Sequence, residues 1–138
     1  MLNLKKAIYG KLSGSLLGTD IGGRMFDTMA PQGAEYPYAV YLIVSDAPDN
    51  VFAGYYEDVL IQFSLFSATP DDSTEIEGMY GHLKTLYDEC TMTIAAGANT
   101  LIWMRRENAS LMPEEHTTLA GTIQVFHYAV DYSVTVKV

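Results

Sequence analysis

Tyr55-Tyr56-Glu57-Asp58-Val59-Leu60-Ile61-Gln62-Phe63-Ser64-Leu65-Phe66-Ser67-Ala68 decides the fold. Val59, Ile61, Phe63 and Leu65 alternate with Asp58, Gln62 and Ser64, and a period of two is that of a strand with one buried face. Pro70-Asp71-Asp72-Ser73-Thr74-Glu75 follows and announces a helix. Asp72 can accept from the free backbone N–H groups, Glu75 can complete a capping-box-like pair, and both carboxylates suit the positive end of the helix dipole. Ile76, Met79, Tyr80, Leu83, Leu86, Tyr87 and Cys90 then recur at helical spacing. Gly78 and Gly81 within this helix suggest close approach by a neighbouring backbone.

Working outward, Tyr36–Ser45 reads as a strand. Pro37 is tolerated near its start, where a residue need not donate to the ladder. Asp46–Gly54 carries Asp, Pro, Asn and Gly and reads as a turn or hairpin tip. Arg24–Thr28 is a short strand candidate. Leu4, Ala7, Ile8, Leu12 and Leu16 mark an amphipathic first helix, with Lys5, Lys6 and Lys11 off the stripe and an end near Gly14 or Gly18.

The last third reads as β. Thr91–Ala95 is a possible short strand, Gly97-Ala98-Asn99 a turn, and Thr100–Arg106 a strand with the only tryptophan, Trp103. Glu107–Leu119 reads as a polar loop, and Thr122–Val138 as a long closing strand. In that strand Phe126, Tyr128, Val130, Tyr132, Val134 and Val136 share one face, and His127, Asp131, Ser133 and Thr135 the other. Together these predict one α+β domain over residues 1–138: a mostly antiparallel sheet of about five strands, with two helices packed on one face.

The 138 residues carry a net charge of −9, with 49% hydrophobic and 18% charged residues. A chain of this length buries roughly two-thirds of its unfolded surface. The low charged fraction fits either a surface covered by partners or one rich in Tyr, Ser and Thr. The acidic balance argues against binding to nucleic acid or to an anionic membrane surface, both of which need Lys and Arg. One cysteine permits no internal disulfide. No apolar run approaches a membrane span, and nothing after Lys5-Lys6 resembles a leader, so a reducing cytosol is expected.

Catalytic patterns are missing from the sequence. His82, His116 and His127 show no metal-ligand spacing, and Glu114-Glu115-His116 is not the zinc-peptidase arrangement. His82 falls on the polar side of its helix, and a chance contact between His127 and Asp131 is the simplest reading of that pair. There is no phosphate loop, no nucleophile elbow and no calcium loop. Cys90 completes a helix stripe and reads as core. No catalytic residue, metal or cofactor is expected.

Interaction chemistry is better represented, with 10 tyrosines and 7 methionines. Tyr55 and Tyr56 beside a turn, and Leu111 and Met112 in the polar loop, are candidate contacts with another subunit; packing onto their own domain is the alternative. A long strand edge left open invites pairing with a neighbour, and in a ring that pairing would be the means of assembly.

The order of features over residues 1–90 carries a resemblance. An amphipathic helix leads to Gly22-Gly23-Arg24 and Met25-Phe26-Asp27. A loop holding Pro31, Gln32 and Gly33 then closes on Pro37-Tyr38-Ala39-Val40. A long strand, a Thr-Pro-Asp segment and a second amphipathic helix complete it. This order is similar to the tail-completion or tail-terminator proteins at the neck of long-tailed bacteriophages. The resemblance implies a non-enzymatic virion protein, assembled in the bacterial cytoplasm. Such subunits form a ring, usually a hexamer, which caps the tail tube, docks the head-side connector and lets DNA pass through its bore. Carboxylates facing such a bore would keep it from gripping DNA. Asp46, Asp49, Asp71, Asp72, Glu75, Glu114 and Glu115 are candidates because they cluster. A head-closure or adaptor protein of the same neck is the nearest alternative. A small acidic enzyme or ligand-binding domain is the alternative from another class.

Overall fold

The computed structural model describes residues 2–69, 72–95 and 98–138. The order is α1 (Leu2–Leu12), α2 (Leu16–Asp20), β1 (Met25–Asp27), β2 (Tyr38–Val51), β3 (Gly54–Ser67), α3 (Thr74–Tyr87), β4 (Thr100–Thr118) and β5 (Gly121–Lys137). The five strands form one sheet in the order β1-β2-β3-β5-β4. The short β1 pairs parallel to β2; every other pair is antiparallel. The fold is therefore α+β, as the sequence predicts, with a mixed sheet and, among the described residues, three helices where two were expected.

The extra helix arises at a break. Gly14 takes a φ of +74°, which glycine adopts without strain, and the chain restarts at Ser15. Ser15 Oγ accepts from Gly18 N at 2.9 Å, an N-cap for α2. The restart shifts the helical phase, so Leu17 and Ile21 enter the core while Leu16 is 64% exposed. The close approach expected at Gly78 and Gly81 is not there, since a Cβ at either would meet open space. It falls at Gly18 instead, where a Cβ would lie 2.5 Å from the Leu12 carbonyl oxygen.

One core joins all three helices to one face of the sheet. Val59, Ile61, Phe63 and Leu65 meet Val130, Tyr132, Val134 and Val136 beneath Leu4, Ile8, Ile76, Met79 and Leu83. Phe63 stacks on Tyr87 at 4.7 Å, and the Tyr87 hydroxyl donates to the Ile8 carbonyl at 2.8 Å. Burial pushes the Tyr87 hydroxyl pKa well up, so it remains a donor. Thr74 N donates to Asp72 Oδ1 at 2.8 Å at the start of α3. Glu75 forms no capping box: its Oε1 accepts from the buried Ser67 hydroxyl at 2.7 Å and so ties α3 to β3. Cys90 lies beyond the end of α3, half-buried against Met104.

Three segments differ from the sequence reading. The hairpin tip expected over Asp46–Gly54 is there but narrower: β2 runs on to Val51, and Phe52-Ala53 turn the chain. Glu107–Leu119 is not a loop but the outer half of β4, paired with β5 as far as Thr118↔Gly121. Thr91–Ala95, read as a possible short strand, has among the described residues an isolated bridge from Ala95 to Asn99; Gly97 of the expected turn lies outside the described residues.

Candidate assembly surface

The two long hairpins present their tips at opposite ends of the sheet. In β3 and β5 the pairing runs from Tyr56↔Lys137 to Ser67↔Phe126, so the Phe52-Ala53 turn and the Leu119-Ala120 turn point opposite ways. Each turn carries one large apolar residue, Phe52 or Leu119, and both are fully exposed. Two-residue hairpin turns ordinarily hold Asn, Asp or Gly. An apolar side chain there contributes nothing to its own fold and is available to a partner.

The sheet's outer edges share a second pattern. Val44–Val51 of β2 is exposed at every residue, and in β4 only Met104 is buried. Each outer strand is interrupted by a bulge that leaves an apolar residue out of register: Val44 in β2 and Ile102 in β4. Each also holds a proline, Pro48 or Pro113, which withholds a ladder N–H. Bulges and prolines on an edge discourage a further strand from pairing there.

Beside the Leu119 tip the register assembles a side-chain cluster that the sequence does not announce. His127 Nδ1 lies 2.7 Å from Glu114 Oε1, and His116 Nε2 lies 3.0 Å from Glu114 Oε2. A carboxylate only accepts, so both rings present N–H to it. The Tyr36 hydroxyl lies 2.6 Å from His116 Nδ1. Phe66 stacks on His127 at 4.4 Å and on Tyr38 at 4.8 Å. Burial works to raise the Glu114 pKa, but the hydrogen bonds from His116 and His127 outweigh it and hold the carboxyl below its ordinary value. Burial, with Tyr36 alongside, pushes Tyr38 up to about 12. The cluster clamps the 28–37 connection to the β4–β5 hairpin. It borders a hollow of about 830 Å³ lined by Pro31, Gly33, Tyr36, Tyr38, His116 and Leu119. Among the described residues no group of three His, Cys, Asp or Glu side chains could hold a metal.

The remaining sequence candidates scatter. Tyr55 is strongly exposed beside the Phe52 tip, while Tyr56 is half-buried. Leu111 and Met112 lie on β4 opposite Tyr128 and His127, on opposite faces of the sheet, 38% and 37% exposed. Asp46 and Asp49 are exposed on the outer part of β2, and Glu115 is exposed on β4. Asp72 and Glu75 are engaged at the α3 start, and Asp71 lies outside the described residues. Glu114, read as a solvated loop residue, is the half-buried hub of the histidine pair. His82 is not merely solvated but pairs with Asp20 of α2. Asp131 accepts from Gln62 at 3.1 Å rather than meeting His127. No helix among the described residues is long and apolar enough to cross a membrane.

No family model matches the sequence, and no curated protein matches it. Solved structures do share the fold. A chain from a structure titled as the virion of a native gene transfer agent particle superposes with a TM-score of 0.78 at 14% identity, over 98% of this chain and 95% of that one. A second solved chain gives a TM-score of 0.57 at 13% identity, over 96% of this chain and 93% of that one.

Proposed function

We propose that this chain is a structural virion protein without catalytic activity, a tail terminator or completion subunit at the head–tail neck. The observation that carries the reading is the likeness to a chain of a virion particle, which extends over nearly the whole of both chains. The resemblance of residues 1–90 to tail-completion proteins supplies the finer role. A terminator must hold the tail tube on one side and present another surface to the head connector. The bipolar arrangement of Phe52 and Leu119 suits that task, with one apolar contact at each end of the sheet. Copies would close into a ring, six in the usual case, with DNA passing through. Of the clustered carboxylates among the described residues, Asp46, Asp49, Asp72, Glu75 and Glu115 are exposed and free of ion pairs, and a bore that bears such groups would repel rather than grip the duplex.

Deletion of the reading frame from the producing genome tests this. The expected result is filled heads and tails that fail to join, or tails of uncontrolled length, restored by supplying the chain in trans. Normal particles from the deletion would refute the role.

A further inference from the structure

Both free edges of the sheet carry exposed apolar residues at matching heights. The ladder aligns Trp103 with Thr135, Asp58 and Ala47 in one rung across β4, β5, β3 and β2, and Arg105 with Ser133, Leu60 and Ser45 in a nearby rung. The bulged residues Ile102 and Val44 flank these rungs, and both are exposed. The charges differ between the two edges. Asp46 has no ion-pair partner among the described residues and sits beside Glu57, whose carboxyl is held up by burial and by Asp46 itself. On β4, Arg105 stacks over Trp103 at 4.7 Å and contacts Glu89 at 3.2 Å, yet its side chain stays 54% exposed. Trp with Arg is the composition that dominates interface energetics.

We infer that Ile102, Trp103 and Arg105 of one copy seat on Val44, Asp46 and Ala47 of a second copy of this chain. The inference rests on the ring reading above and names the joint between its subunits. Different patches on opposite edges make a heterologous contact, which gives a closed ring or an open filament according to whether each step also climbs. Patches on the same rungs make a step with no climb along the strands, and that favours closure. Because Pro48 and Pro113 interrupt the two edges, side chains form the joint and the backbone ladder does not continue through it. Asp46 then belongs to the joint rather than to the bore.

The test is a disulfide. Ala47→Cys with Ile102→Cys, in a Cys90→Ala background, places two thiols on strands three spacings apart, about 14 Å. A disulfide needs Cα atoms within about 7 Å, so it cannot close inside one chain. Mild oxidation of the purified, concentrated protein should give a ladder of covalent oligomers that ends in a single closed species on denaturing and native mass measurements. Adding Arg105→Glu should cut the yield about tenfold, and adding Asp46→Arg to that variant should restore it. A protein that stays monomeric under oxidation, or a ladder indifferent to both charge changes, would overturn the proposed joint. Imaging of particles separates the two readings. The chain found at the neck with no ladder removes this joint alone; a ladder from a chain absent from the neck removes the ring's role there.

Discussion

Strands β3 and β4 are both long and both regular, but they are strands for different reasons. In β3 every second residue from Val59 to Ser67 is buried, and the core holds the strand in place. In β4 only Met104 is buried along 19 residues, and its ladder to β5 holds it. A few side chains reinforce the attachment. Arg106 pairs with Asp88 at 3.2 Å and donates to the Tyr80 hydroxyl, and Glu89 N donates to the Met104 carbonyl at 2.9 Å.

That contrast can be broken at its strong end first. Phe63→Ala should remove about 3–5 kcal/mol of stability in chemical denaturation, since it opens a void between Tyr87 and Tyr132. A loss under about 1 kcal/mol would mean that β3 is not the packed strand described. Tyr132→Phe comes next. Tyr132 is fully buried, burial and the adjoining Asp88 push its pKa well up, and its hydroxyl donates to Asp88. Loss of that bond should cost about 1–2 kcal/mol. A neutral result would mean that the bond from Tyr132 of β5 to Asp88 does not help to hold the end of α3 on the sheet.

The histidine cluster sharpens the comparison on the β4 side. The native Glu114 pKa lies below its ordinary 4.5, so its contribution is present above that value and is lost as pH falls through the lowered one. The difference in stability between the wild type and Glu114→Gln should therefore shrink on acidification below 4.5. A difference that grows as the pH falls would contradict the cluster. The smallest effect on stability belongs to the exposed residues. Leu111→Ser with Met112→Ser, and Phe52→Ser or Leu119→Ser, should each change stability by about 0.5 kcal/mol or less per residue while impairing the joining of heads to tails. Normal infectious yield from all of them would remove these residues from the contact surface.

The same contrast explains what could be read in the sequence. The β3 alternation and the α3 stripe from Ile76 to Tyr87 are legible because burial on one side imposes a period. Glu107–Leu119 has no period because little of it is buried, and it reads as a loop. Its one available sign is negative: the stretch contains no glycine. Asp46–Val51 misled in the opposite way, since Asp, Pro and Asn there belong to an edge strand that must avoid pairing. The cluster of Tyr36, Glu114, His116 and His127 was beyond local reading. Tyr36 and His116 are 80 positions apart in sequence and meet only once the register of four strands is fixed. Phe52 and Leu119 were hidden among turn residues, although an apolar side chain in so short a turn is itself a signal.

The central claim is positional, and a reconstruction of intact particles that carry this chain tests it most directly. A closed ring of copies around the axis between head and tail is predicted, with the Phe52 and Leu119 tips on its two opposite faces. Density for the chain away from the axial channel, or as isolated subunits on the particle surface, would contradict it.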